Sequence, residues 1–132
     1  MPFTRSHRIA LRQTDAAGVL FFAEQLALVH DVYQELLREG GLSIRAILDE
    51  GVFALPIVKA ETELLSPLRV DDEVEVALSL EREGETSFTL AHSLTREGAV
   101  AGRGRTVHVC VDGSAGRPRP LPDAVKAVLA GL

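Results

Sequence analysis

The residues best placed to do chemistry lie in the run Thr14-Asp15-Ala16-Ala17-Gly18-Val19-Leu20-Phe21-Phe22. A carboxylate leaves what reads as the end of a strand, three small residues follow, and a helical pattern begins close behind. One reading makes Asp15 a turn or N-cap residue, because a carboxylate there accepts backbone N–H bonds. The other makes it catalytic: small residues let a substrate approach the free amides that open a helix, where a developing oxyanion is stabilised. A carboxylate beside such amides is the minimal apparatus for acyl transfer. Spacing alone leaves both readings open.

Other candidates carry the same two-sided reading. Phe21 and Phe22 are either walls for a flat aromatic group or ordinary core. His30 either contacts a ligand, or orients Asp15, or is simply satisfied on its helix. Tyr33 falls on the helix's apolar stripe and reads as core, and His108 reads as structural. Cys110 lies two residues beyond His108, so both point to one face of a strand. A nucleophilic pair needs an orienting third group, and the sequence offers none. The four histidines lack clustered ligand spacing, so no metal site is expected. Arg103, Arg105, Arg117 and Arg119 are the one basic concentration. They either hold phosphates by charge-assisted bonds or keep a strand edge solvated.

The elements that must position these residues follow from periodicity. Residues 6–13 read as a strand, with Ile9 and Leu11 alternating against polar neighbours. From about residue 19 the period becomes helical, with Leu26, Val29, Tyr33, Leu36 and Leu37 on one stripe, ended by Gly40-Gly41. Ser43 is placed to cap a shorter helix through Asp49, stopped at Gly51. One extended strand is expected over 53–65, halted by Ser66-Pro67. Alternation then marks strands at 73–81, at 88–94 with His92 on the face of Phe88, and at 99–111, with Glu97-Gly98 as a hairpin turn. Pro122-Asp123 opens a last helix carrying Leu121, Val125, Val128 and Leu129 inward. One long helix followed by consecutive antiparallel strands predicts an α+β layer with the helix on one sheet face.

At 132 residues the chain reads as a single domain over 1–132, large enough to bury roughly two-thirds of its unfolded surface. One cysteine excludes an internal disulfide and fits a reducing compartment. No apolar run suits a secretory signal or a membrane span, so a cytoplasmic location and no membrane partner are expected. A net charge of −5 with scattered basic residues argues against nucleic acid.

The Thr14–Phe22 run resembles the active-site motif of the 4-hydroxybenzoyl-CoA thioesterase family of hotdog enzymes, most nearly the 1,4-dihydroxy-2-naphthoyl-CoA branch that serves phylloquinone and menaquinone synthesis. His30-Asp31-x-Tyr33, Phe53-Ala54-Leu55-Pro56-Ile57-Val58, Pro67 with Asp72, and His108-Val109-Cys110 resemble later positions of that branch. The resemblance implies a hotdog fold, in which an antiparallel sheet wraps one long central helix. It also implies hydrolysis of an acyl-CoA with an aromatic acyl group, naphthoyl or 4-hydroxybenzoyl-like, or in other members a fatty one; the rival from another class is a non-catalytic acyl-CoA binding protein on the same fold. No cofactor is implied beyond the substrate's own coenzyme A, and sites are expected between the subunits of a homodimer or homotetramer. Asp15 takes the catalytic position, as nucleophile or as base, and the Gly18 amide at the helix start is expected to polarise the carbonyl. Val19, Phe21, Phe22, His30, Lys59, Arg103 and Arg105 are the expected substrate contacts. Gln13 and Lys59 depart from the pattern, standing where relatives carry an acidic residue and a histidine. Lys59 then either touches the acyl group or reaches a CoA phosphate.

Overall fold

A computed structural model describes residues 1–132. In chain order the elements are β1 (Phe3–Arg8), α1 (Phe22–Glu39), α2 (Ile44–Glu50), β2 (Phe53–Ala54), β3 (Ile57–Leu64), β4 (Glu73–Glu83), β5 (Ser87–Arg96), β6 (Ala99–Val109), β7 (Val111–Asp112) and α3 (Asp123–Ala130). Five strands form one antiparallel sheet in the order β1-β4-β5-β6-β3, and β2 pairs with β7 apart from it.

The alternation in β4 and β5 turns Val74, Val76, Leu78, Phe88, Leu90 and Leu94 to one face, where all are buried. The 18-residue helix α1 lies across that face and packs on β1, β3 and β4. Of the expected stripe, Val29, Tyr33, Leu36 and Leu37 are buried, joined by Leu28 and Val32, while Leu26 is only half-buried. Ser43 caps α2 by accepting the Ala46 N–H, and Leu121, Val125, Val128 and Leu129 seal one end of the core.

Several expected boundaries move. The first strand ends at Arg8, and Leu11–Gln13 forms a short 3-10 turn. Buried Ile9 is tied to Asp71 and Asp72 by both its backbone groups, and the Gln13 carboxamide accepts the Ala10 N–H, which bends the chain out of the sheet. Leu11 is consequently exposed, so its place in the alternation was coincidental. Helix α1 starts at Phe22 and not near residue 19, because Leu20 is held extended by a bridge to Thr14 and by its N–H to Leu68 O. The strand expected over 53–65 is split at Leu55-Pro56 into β2 and β3, as a proline without an N–H cannot continue a ladder. The last strand likewise breaks at Cys110.

Strand β3 is a sheet edge, and every residue of it except Thr62 is exposed. Ile57, Val58, Leu64 and the following Leu65 put apolar side chains along that edge. No helix of the chain is long and apolar enough to cross a membrane.

Candidate active site

Asp15 opens a tight turn. Its N–H donates to Val19 O (3.0 Å), and the Gly18 N–H returns to Asp15 O (2.9 Å). Gly18 has φ 81°, a conformation that costs glycine little and an L-residue much. The Asp15 Oδ1 atom accepts the Ala17 N–H at 2.8 Å, so one carboxylate oxygen stiffens the turn. No hydrogen bond of the chain occupies the other, and the residue is exposed. The turn and catalytic readings are therefore compatible, with one oxygen for each.

The geometry corrects one expectation. Gly18 is not at the helix terminus, and its amide is spent inside the turn. The free donors lie four residues on, where α1 begins without a side-chain cap. The N–H groups of Phe22 and Ala23 have no partner, whereas Glu24 bonds back to Phe21 O. The helix dipole adds partial positive charge at that end. Gln13 clamps the helix start to the turn: its carbonyl accepts the Phe21 N–H at 2.8 Å, and its buried side chain meets His7 Nε2. The Phe21 and Phe22 rings touch, 4.7 Å between centroids, and both are exposed, so neither is core in the single chain.

A second locus lies along α1. A cavity of about 280 Å³ opens between α1, β3 and β6, with Leu26, Val29, Ile57 and Ala60 as apolar walls and His30, Tyr33, Thr106 and His108 as polar ones. Tyr33 and His108 were expected to be structural; both are buried, yet they line this space. The only sequence signal was the polar alternation Thr106, His108, Cys110 on a strand whose valines are less buried. Val19 lines a neighbouring cavity of about 230 Å³ with Gln25, Leu64 and Leu68. Asp15 lines neither. A larger groove, about 620 Å³, lies elsewhere and is walled by Asp71, Asp72, Glu73, Glu75 and Glu97, which repel an anionic ligand.

A chain of polar side chains links α1 to β3 and β5. Gln25 Nε2 donates to Thr62 Oγ1 (2.6 Å) and Glu63 O (3.0 Å), and Thr62 Oγ1 meets His92 Nε2 at 2.9 Å. A Cβ on Gly102 would sit 2.5 Å from the Gln25 amide, and one on Gly104 would strike Glu61 O and His92. Close backbone approach thus makes room for these side chains. The expected phosphate contacts fare differently. Arg103 pairs with Glu63, and Arg105 with Glu61 and Glu81, on the sheet face opposite α1. Lys59 is exposed on β3 without such a partner. No group of three or more His, Cys, Asp or Glu side chains is placed to hold a metal ion.

Burial holds the pKa of His92 down at about 4, and that of His108 also at about 4, with the charge of His30 a lesser cause for His108. Burial raises the Tyr33 phenol. Both imidazoles stay neutral in the fold down to about pH 4, while the unfolded chain protonates them below about 6.5. The unfolded state therefore binds more protons in that window, and stability falls as pH falls through it. Each unit is worth about 1.4 kcal/mol, so two histidines together remove several kcal/mol. Melting followed by circular dichroism should show Tm dropping steadily from pH 6.5 to pH 4. A flat profile there would contradict the buried neutral pair.

An antiparallel sheet with a helix across its inner face and a turn-borne aspartate ahead of that helix defines a recognisable class. Residues 9–129 match the model of the thioesterase-like superfamily, and the chain belongs to that family. The expected hotdog fold is borne out. Among relatives, the chain is 31% identical to the 1,4-dihydroxy-2-naphthoyl-CoA hydrolase of Nostoc punctiforme, over 95% of this chain and 84% of that one. It is 32% identical to the enzyme of the same name from Microcystis aeruginosa, over 96% and 90%. The crystal structure of a 1,4-dihydroxy-2-naphthoyl-CoA thioesterase from Synechocystis superposes with a TM-score of 0.94 at 28% identity, over 100% of this chain and 98% of that one.

Proposed function

We propose that this protein hydrolyses the thioester of an aromatic acyl-CoA, with 1,4-dihydroxy-2-naphthoyl-CoA the first substrate to test. The observation that carries the reading is Asp15, pinned by its turn with one oxygen uncommitted, ahead of an uncapped helix that offers the free Phe22 and Ala23 amides. Those amides replace Gly18 as the donors to the carbonyl oxygen. Asp15 either attacks the carbonyl carbon, giving an acyl-enzyme that water then cleaves, or takes a proton from the attacking water. In both routes the C–S bond breaks and the coenzyme A sulfur leaves, gaining a proton. Water is the only co-reactant. Loss of one oxyanion donor elsewhere costs on the order of 3 kcal/mol of barrier, which is the scale expected of these amides.

The site requires a second copy of the chain. A single chain leaves Asp15 exposed and the acyl cavity without a carboxylate, and it leaves the apolar edge of β3 bare. Bare edges seek strands. Pairing β3 with its own copy about a two-fold axis runs the strands antiparallel and sets the Leu64 end of one beside the Ile57 end of the other. Thr62 and Glu63 contact Gln25 in the first turn of α1, so the helix start of one protomer meets the partner's cavity. Lys59, unpaired on the same strand, is then better placed than Arg103 or Arg105 to meet a CoA phosphate. A cytoplasmic location fits a substrate made inside the cell.

The test is a panel of aryl-CoA and fatty acyl-CoA thioesters with purified protein, following release of free thiol. Turnover of aryl-CoAs is expected to exceed that of long fatty chains, for which 280 Å³ is small. Folded protein inert on every thioester would defeat the proposal.

A further inference from the structure

We propose that Gln13 is a positioning residue for the hydrolysis, whose buried carboxamide fixes the opening amides of α1 relative to Asp15. The inference rests on the thioesterase reading above and adds to it a residue that acts through its neighbours.

Residues 13–21 form a closed loop. At its base Gln13 O accepts the Phe21 N–H at 2.8 Å, Thr14 then bridges Leu20, and the Asp15 N–H reaches Val19 O at 3.0 Å. The carboxylate and the free amides therefore leave the two sides of one base. Asp15 lies two residues beyond Gln13, and Phe22 and Ala23 follow directly on Phe21. Whatever holds Gln13 holds the separation between them. Gln13 is also the only buried polar residue of the loop, at 3% exposure. Its N–H donates to Ala10 O at 2.9 Å, and its Oε1 atom accepts twice, from the Ala10 N–H and from His7 Nε2, each at 2.8 Å. A carboxamide oxygen only accepts, so the half-buried His7 ring is the donor. His7 lies in β1 opposite Val74 of β4. The Thr14 hydroxyl and the Asp15 carboxylate bond only to Leu11 and Ala17, so no other side chain of the loop is tied to a strand.

Removing that acceptor leaves the Ala10 and His7 donors without a partner, and they regain one only by moving toward water. The incoming arm of the loop shifts with them and carries Asp15 out of line with the amides. Catalysis feels such a shift more than binding does. A misplacement of about 1 Å can cost about a hundred-fold in rate. The oxyanion exists only after attack has begun, so donors out of register slow the chemical step and leave the ground-state complex intact. The signature of a positioning role is thus a loss in kcat at constant affinity.

Gln13→Met keeps the length of the side chain and removes the acceptor. On 1,4-dihydroxy-2-naphthoyl-CoA it should lower kcat by about ten- to a hundred-fold. Calorimetric Kd for a non-hydrolysable thioether analogue of that substrate should stay within about threefold of wild type. Gln13→Glu, which keeps acceptor oxygens at the same reach, should recover most of the lost kcat even though its buried carboxyl lowers Tm. Amide hydrogen exchange reads the geometry directly. The Phe21 N–H, held by Gln13 O, should exchange about tenfold faster in Gln13→Met, with the amides from Val29 to Leu36 unchanged. Should Gln13→Met not fold, His7→Phe removes one of the two donors and should lower kcat by about three- to tenfold at unchanged Kd. Wild-type kcat in the folded variant tested, kcat that follows Tm and not the acceptor, or wild-type exchange at Phe21 overturns the inference. If the wild type cleaves no thioester, the hydrolase reading fails by itself. The Phe21 exchange rate still decides whether Gln13 fixes the start of α1.

Discussion

Asp15→Asn is expected to lower kcat/KM on an aryl-CoA by at least about 10³-fold, the scale of a positioned general base, and by more if the carboxylate is the nucleophile. The substitution isolates the chemistry. An asparagine Oδ1 can still accept the Ala17 N–H that now bonds Asp15 Oδ1, so the turn survives and Tm should hold. What disappears is the negative charge on the uncommitted oxygen, which an amide cannot supply to a carbonyl carbon or to a water proton. Substrate affinity should persist, because no binding contact is removed. Steady-state kinetics with a calorimetric Kd for a non-hydrolysable thioether analogue checks both halves. Activity within tenfold of wild type in a folded Asp15→Asn protein would return Asp15 to the role of a turn residue.

The second large effect tests the proposal that two copies of the chain share each site. Ala60 sits on β3 opposite Thr106 and lines the cavity between α1, β3 and β6, so Ala60→Trp fills the cavity of its own protomer and leaves its own Asp15 turn untouched. Homodimers of Ala60→Trp and homodimers of Asp15→Asn should each be nearly inactive. Unfolded together and refolded at equal concentration, they form mixed dimers in about half of the molecules. Each mixed dimer has one site with an intact Asp15 and the partner's open cavity, so about a quarter of wild-type activity should return. Size-exclusion chromatography establishes that both variants remain dimeric. No recovery from a confirmed mixed dimer would mean that carboxylate and cavity come from the same chain. The physical basis is the separation seen in one protomer, where Asp15 lines neither cavity and β3 offers an uncovered apolar edge.

Similarity to enzymes named for dihydroxynaphthoyl-CoA spans nearly the whole chain. The departures lie at identifiable places. Gln13, standing where relatives carry an acidic residue, is a buried clamp whose carboxamide closes the loop before the Asp15 turn. A charged carboxylate there would be buried at 3% exposure beside the Ala10 amide and His7, and the neutral side chain avoids that desolvation. Lys59 follows the irregularity in the β3–β6 register at residues 57–59 and faces solvent in the single chain.

Much of the architecture was legible in the chain itself. Period-two alternation at 73–81 and 88–94 reports which side of a strand is buried, and a 3.6-residue period over 26–37 reports which side of a helix is buried. Both held, because burial of a face is a local property of the sequence. The position of Asp15 ahead of α1 was legible for the same reason. The exact start of α1 was not. Val19 and Leu20 are as compatible with a helix as with extended chain, and the decision came from Leu68 and Thr14, distant and near partners that claim the Leu20 backbone. That choice moved the free amides from Gly18 to Phe22.

Periodicity names a face but never the partner across it, and the partners were decided by the tertiary structure. Gln25 meets Thr62 across 37 positions and Thr62 meets His92 across 30, because the sheet order sets β3 and β5 on either side of β6. The same order carries His108 to Tyr33 and makes a cavity out of two residues that read singly as core. It also turned Arg103 and Arg105 away from α1 into ion pairs with β3 and β4. The chain by itself determined where a carboxylate and a helix terminus could adjoin. Strand order and register, set by summed long-range pairing, decided which polar residues line the cavity between α1, β3 and β6.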